Sequence, residues 1–280
     1  MRTLDVAEIT ENIKEMCIEA NHFLSGDMAQ AMQTALNAEE APLGRQILEQ
    51  LQENLSIAGE DMIPICQDTG MAVIFMEVGQ ELHFEGGSLE EAIQEGVRRG
   101  YTEGFLRKSV VKDPIFRENT KDNTPAVVHY EIVPGDRVRI TVAPKGFGSE
   151  NMSRIFMLKP ADGIEGVKNA VLTAVKDAGP NACPPMVVGV GIGGTFEKCA
   201  LLAKRALTRP VDRRSGTEYV KELEQELLEK INCSGIGPGG LGGSTTALAV
   251  NVETYPTHIA GLPVAVNICC HVNRHAVREL

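Results

Sequence analysis

The sequence predicts a mixed α/β fold, a helical N-terminal region followed by mixed sheets flanked by helices. Apolar residues recur at helical spacing through about residues 5–59, as in Ile9, Ile13, Met16, Cys17 and Ala20. Short β-rich runs then take over, among them 72–76, 126–133 and 137–142. From about residue 162, helical patterns and apolar strands alternate to the end of the chain. Length places the 280 residues at one large or two modest domains. The reading adopted is a single domain over 1–280, with a helical lead-in over about 1–60 and an α/β part over about 61–280.

The acidic N-terminal stretch 1–8 reads as helical and lacks the apolar core of a signal peptide. Gly26-Asp27 breaks the first helix; a second covers about 27–37 and a third about 43–55. Pro64-Ile65-Cys66-Gln67-Asp68-Thr69-Gly70 is a turn into the strand at 72–76. It sets a thiol, an amide, a carboxylate and a hydroxyl side by side. Ser88 with Glu91 forms a capping-box signal for a helix over about 88–104. Arg107, Lys108 and Ser109 at its end are either an anion site or a solvated basic helix end. Pro134-Gly135-Asp136 between two alternating strands predicts a hairpin. Lys145-Gly146-Phe147-Gly148-Ser149-Glu150-Asn151 follows a strand, and its glycines offer backbone N–H groups to a carboxylate or phosphate. It lacks the GK[ST] ending of a Walker loop.

A helix over about 162–178 precedes Cys183, which two prolines follow directly. Gly189-x-Gly191-x-x-Gly194 formally matches the dinucleotide fingerprint. Its required second strand and acid are replaced by the polar loop Arg209-Pro210-Val211-Asp212, so a nucleotide-binding oxidoreductase is disfavoured. A charged helix over about 216–231, the glycine run 235–243, strands over about 247–252 and 262–268, and the pair Cys269-Cys270 complete the chain.

The net charge of −11 argues against nucleic acid as a partner. No apolar run approaches the roughly 20 residues of a membrane span, and the expected location is the cytoplasm. Seven cysteines, an odd number with no CxxC pair, exclude a disulfide framework and a zinc ribbon. Cys17, Cys199 and Cys233 read as small buried hydrophobes. Cys66, Cys183 and Cys270 each stand at a strand terminus beside Pro, Gly or polar residues. Dispersed thiolates of this kind suit a soft metal or an iron–sulfur cluster.

Pro64–Gly70, Lys145–Asn151, Asn181–Pro185 with Gly189–Gly194, Gly237–Thr246, and Pro256-Thr257-His258 through Arg274-His275-Ala276 together resemble class I (iron–sulfur) fumarate hydratase. More narrowly they resemble the alpha subunit of its two-subunit form, a family that includes L(+)-tartrate dehydratase alpha subunits. The blocks follow the family's order along essentially the whole chain. The resemblance implies a [4Fe-4S] cluster on Cys66, Cys183 and Cys270; spacing to Arg274 selects Cys270 over Cys269. It implies substrate contacts from Gln67, Arg107, the Gly146–Gly148 loop and His258, with Asp68 assisting proton transfer. Phe147 departs from the third glycine common in that loop. The implied substrate is a C4 dicarboxylate, fumarate or (S)-malate, with tartrate or a related 2-hydroxy dicarboxylate as the alternative. The chain ends without the family's second catalytic domain. The implied partner is therefore a separate beta subunit in an assembly such as alpha2-beta2, and the chain alone is expected to be inactive. A non-catalytic iron–sulfur scaffold subunit is the alternative of another class.

Overall fold

The computed structural model describes residues 2–280. In chain order the elements are β1 (Arg2–Asp5), α1 (Val6–His22), α2 (Gly26–Ala38), α3 (Pro42–Asp61), β2 (Met71–Gly79), β3 (Leu82–Glu85), α4 (Leu89–Glu103), β4 (Val127–Val133), β5 (Val138–Lys145) and α5 (Phe147–Glu150). They continue with β6 (Arg154–Leu158), α6 (Gly163–Ala178), β7 (Met186–Gly193), α7 (Phe196–Ala206), α8 (Glu218–Asn232), β8 (Ala247–Tyr255), β9 (Leu262–Cys269) and β10 (Ala276–Glu279). The mixed α/β class is as the sequence predicts. The chain divides into two compact units, each discontinuous in sequence, with one of the crossings between them inside α3. The helical lead-in is thus shared between them.

The first unit holds the residues up to Ser25, Leu55–Gly146 and Arg274–Leu280. Its four-stranded sheet runs β10-β5-β2-β4. Two expectations fail here. Residues 2–5 are a strand paired parallel with β3, and the helix begins only after Asp5, whose carboxylate caps it by accepting from the Ala7 N–H at 2.8 Å. The expected hairpin at Pro134–Asp136 is no hairpin: β2 lies between β4 and β5, parallel to one and antiparallel to the other. The end of β2 takes the hydrogen bonds a hairpin would have made, with the Gly79 N–H donating to Arg137 and the Gln80 N–H to Val133. Ile9, Ile13 and Met16 of α1 and Ile93 and Val97 of α4 are buried with Ile74, Ile140 and Val142 of the sheet. Gly96 and Gly100 let α4 approach α1 closely, since a Cβ there would stand 2.8 and 2.7 Å from Ile13 and Cys17 side-chain atoms. Ser88 caps α4 by accepting from the Glu91 N–H, as expected.

The second unit holds Gly26–Asn54 and Phe147–Asn273. Its sheet runs β6-β9-β7-β8, with β7 and β8 parallel and the other pairs antiparallel. Helices α6 and α8 bury Val171, Val175, Leu223 and Leu227 with Val188, Val190, Val250 and Val266 of the sheet. Gly189 and Gly191 lie inside β7, not in a phosphate loop. A Cβ on either would fall 2.2 and 2.0 Å from the Ala203 and Cys199 carbonyl oxygens of α7. Their role is to let a helix lie directly on a strand, which accounts for the spurious nucleotide fingerprint.

Candidate active site

In the first unit, three segments reach one end of the sheet. The turn Pro64–Gly70 enters β2, Lys145-Gly146 leaves β5 opposite Met71, and Arg274 stands two residues before β10. The turn's successive carbonyls are each received by a buried side chain. Arg274 Nη2 donates to the Asp68 carbonyl. The Tyr101 hydroxyl donates to Thr69 at 2.7 Å and to Gly70 at 3.2 Å. Asn123 Nδ2 donates to Gly70 at 3.1 Å. Tyr101 and Asn123 are fully buried, so these bonds do not compete with water. Burial pushes the Tyr101 hydroxyl well above its ordinary pKa and keeps it a donor. Asn123 Oδ1 accepts from the Ser109 and Val110 N–H groups at 2.7 and 3.2 Å, tying the segment after α4 to the same turn. Thr69 Oγ1 donates to the Arg107 carbonyl at 3.0 Å.

With its backbone held from inside, the turn directs Cys66, Gln67 and Asp68 outward, all at least part-exposed. Arg107 Nη1 donates to Gln67 Oε1 at 2.5 Å. Asp68 Oδ1 accepts from the Gly70 N–H at 3.0 Å. Its Oδ2 lies so near Gly146 that a Cβ there would stand 3.1 Å away. The first unit therefore brings Cys66, Gln67, Asp68, Arg107 and Gly146 together. Of the open readings at 107–109, the basic helix end becomes an exposed arginine fixed beside a carboxamide, a planar donor suited to a carboxylate.

In the second unit, Cys183 follows the 3-10 turn Gly179–Ala182 in the left-handed region, φ 52°. Its carbonyl accepts from the His271 backbone N–H at 3.4 Å and from the His271 ring at 3.0 Å. Cys270 directly precedes that histidine, so Cys183 and Cys270 share one end of the sheet. Cys269 is buried in β9 opposite Val187, whereas Cys270 is part-exposed. Short α5, carrying Gly148, packs on the same 3-10 turn. Glu150 accepts from Asn267 Nδ2 at 2.9 Å, anchoring the loop to β9.

His258 is not among them. It lies between β8 and β9, exposed, its Nδ1 accepting from the Ala260 N–H at 3.2 Å. Register pairs Val187 with Cys269 at one end of β7 and Ile192 with Val264 at the other. That leaves His258 roughly 20 Å from Cys183 and Cys270 at about 3.3 Å per residue.

No disulfide joins any of the cysteines. Cys17 and Cys199 are buried, and burial pushes the Cys17 thiol up to about 12. Cys233 is exposed, contrary to its expected burial. Among the described residues no three His, Cys, Asp or Glu side chains gather around a single ion position. A multi-iron cluster places each thiolate on a different iron, so what it requires is accessible thiols outside disulfides. Cys66, Cys183 and Cys270 meet that requirement; Cys269 does not.

Four positioning residues carry no motif in the sequence: Glu39, Tyr101, Asn123 and Asn232. Glu39 is buried, and its carboxylate accepts from Ala41 at 3.1 Å, Ser244 at 3.0 Å and Thr245 at 2.9 Å, all backbone N–H groups. Asn232 Oδ1 accepts from Thr246 and Ala247 at 2.9 and 2.8 Å. The glycine run 237–243 is thus held through the residues that end it.

A family model described as fumarate hydratase (Fumerase) matches residues 10–279. A Methanocaldococcus jannaschii protein provisionally named L(+)-tartrate dehydratase subunit alpha is 41% identical over 279 residues, 98% of each chain. The L(+)-tartrate dehydratase subunit alpha of Escherichia coli (strain UTI89 / UPEC) is 32% identical over 274 residues, 96% of this chain and 89% of that one. With a match running nearly end to end, the chain belongs to the fumarate hydratase (Fumerase) family of hydro-lyases.

Proposed function

We propose that this chain is the alpha subunit of an iron–sulfur hydro-lyase that hydrates fumarate to (S)-malate, its site completed by a separate beta subunit. The observation that carries the reading is the turn Cys66–Gly70. Its backbone is fixed by buried donors, and its thiol, amide and carboxylate face outward beside Arg107. Cys66, Cys183 and Cys270 are the thiolates that would hold a [4Fe-4S] cluster. When bound, that group supplies a Lewis-acidic iron to the hydroxyl leaving or entering at the substrate carbon. Arg107, held by Gln67, receives one carboxylate of the dicarboxylate, and the Gly146–Gly148 segment the other. Asp68, ordered by the Gly70 N–H, assists proton transfer at the neighbouring carbon. The remaining proton-transfer group belongs to the partner. His258 stands apart from this reading, because the length of β7 lies between it and the end of the sheet that carries Cys183 and Cys270.

A second reading, L(+)-tartrate dehydration, is favoured by the names of the relatives at 41% and 32% identity. Tartrate carries one more hydroxyl than malate. A site built to hydrogen-bond that hydroxyl rejects the analogue lacking it by about 10⁴-fold or more, so the two readings separate cleanly. The test is anaerobic co-production with the beta subunit, analysis of iron and acid-labile sulfide, and parallel assays on fumarate and L(+)-tartrate. Dominant fumarate hydration sustains the proposal, and dominant tartrate dehydration replaces it with the second reading. An iron-loaded pair active on neither supports a scaffold subunit.

A further inference from the structure

Arg274 is only 4% exposed, yet its guanidinium has a single acceptor, the Asp68 carbonyl. Its Nε and Nη1 are buried with no hydrogen-bond partner among the described residues. The chain treats Arg209, also mostly shielded, quite differently. That guanidinium is shared between the carboxylates of Glu224 and Glu253. A buried guanidinium without a carboxylate is costly, because the lost hydration of the charge is not replaced. The task of receiving a turn carbonyl does not demand it. Tyr101 and Asn123 receive the next two carbonyls of the same turn as neutral donors. The positive charge at Arg274 therefore answers to an anion that joins this turn.

The turn offers two places for an anion. Gln67 and Arg107 are exposed and lie on its outer side, where a dissolved dicarboxylate arrives. Arg274 is buried and bonded to the backbone two residues from Cys66. We propose that Arg274 is the counter-charge of the iron–sulfur group held at Cys66, with its two unpartnered nitrogens, Nε and Nη1, serving the thiolate and sulfide sulfurs. This rests on the cluster reading above and assigns a residue within it. Donors and positive charge near such sulfurs raise the reduction potential and hold the cluster more firmly.

Arg274→Met and Arg274→Lys in the full chain, each prepared without and with an anaerobically reconstituted cluster, provide the test. Arg274→Met removes an uncompensated charge from the empty chain, so its Tm should equal or exceed the wild-type value there. The loaded Met variant should melt below the loaded wild type, lose iron to a chelator at least 10-fold faster, and show a more negative reduction potential. Arg274→Lys should recover most of the potential and chelator resistance. A purely structural role lowers the Tm of both forms alike and leaves the potential unmoved, which would overturn the proposal. So would a Met variant that holds its cluster like the wild type but loses dicarboxylate affinity, since the anion would then be substrate. If the wild-type chain takes up neither iron nor sulfide, the cluster reading itself falls. If it takes them up and the variants behave identically, only the role of Arg274 falls.

Discussion

The turn Pro64–Gly70 and the glycine run Gly237–Gly243 both precede a strand of their unit's sheet, and both are held by side chains from distant parts of the sequence. They are held by opposite electrical means. At the turn, carbonyls point inward and Arg274, Tyr101 and Asn123 donate to them. At the end of the glycine run, N–H groups point inward and the Glu39 carboxylate and Asn232 carbonyl accept from them. The turn thereby keeps its reactive side chains outward. The N–H groups of Ser244 and Thr245 are consumed by the protein's own carboxylate, so they are not open to a substrate anion. A glycine-rich loop is an anion site only where its donors are left open, and here an internal glutamate has taken two of them.

The largest expected effect falls on the donor-held turn. Asn123→Ala removes a fully buried side chain, and with it one donor and two acceptor bonds to the backbone of Gly70, Ser109 and Val110, at a position with φ 63°. Each orphaned group costs about 1–3 kcal/mol, so a loss of about 4 kcal/mol is expected in urea unfolding. Asn123→Asp keeps the acceptors for Ser109 and Val110 and should lose about half as much. Equal losses would show that the acceptor bonds contribute little.

Glu39→Ala leaves the N–H groups of Ala41, Ser244 and Thr245 unmatched in the second unit. About 3 kcal/mol should be lost, with faster hydrogen exchange at Ser244 and Thr245 as the local signature. Unchanged exchange at those two amides would remove Glu39 as the anchor of the run. Tyr101→Phe is milder, because Gly70 keeps its bond to Asn123 and only the Thr69 carbonyl is orphaned; about 1–1.5 kcal/mol is expected. If Tyr101 acts by positioning Cys66–Asp68, the same variant should also lower kcat more than it raises KM for the dicarboxylate.

How much of this was legible in advance follows the range of the interactions. Helices α1, α4, α6 and α8 announce themselves by their residue patterns, and α4 also by its Ser88 cap, since every determinant lies within a few residues. The Pro134–Asp136 hairpin was misread because local turn chemistry cannot reveal that β2, from some 60 residues earlier, slots between its arms. Cys66, Gln67 and Asp68 stand out as reactive types in one short turn. Tyr101, Asn123 and Glu39 do not, because each is an ordinary residue whose significance comes from a partner 31, 53 or 205 positions away. His258 shows the converse: a sequence block can mark a residue and say nothing of which end of the sheet it occupies.

The finest contrast between the two loops is in pH. Burial pulls the Glu39 pKa up, but the N–H bonds from Ser244, Ala41 and Thr245 outweigh it and hold the carboxyl below its ordinary 4.5. The folded state then binds fewer protons than the unfolded one in the window below about pH 4.5, so stability rises with pH through it. The advantage of Glu39 over Glu39→Gln is present in full above the unfolded pKa and is lost as pH falls through the folded one. We expect about 1 kcal/mol between the two at pH 7, shrinking as the pH falls below the ordinary 4.5. Neither of those two donors to the turn titrates there: Tyr101 is shifted upward, and Asn123 carries no proton to lose. The stability difference between wild type and Tyr101→Phe should therefore stay flat across that range. Urea midpoints of both variants measured along one acid series decide it. A Tyr101→Phe difference that collapses together with that of Glu39→Gln would mean that the two loops are not held by opposite charges at all.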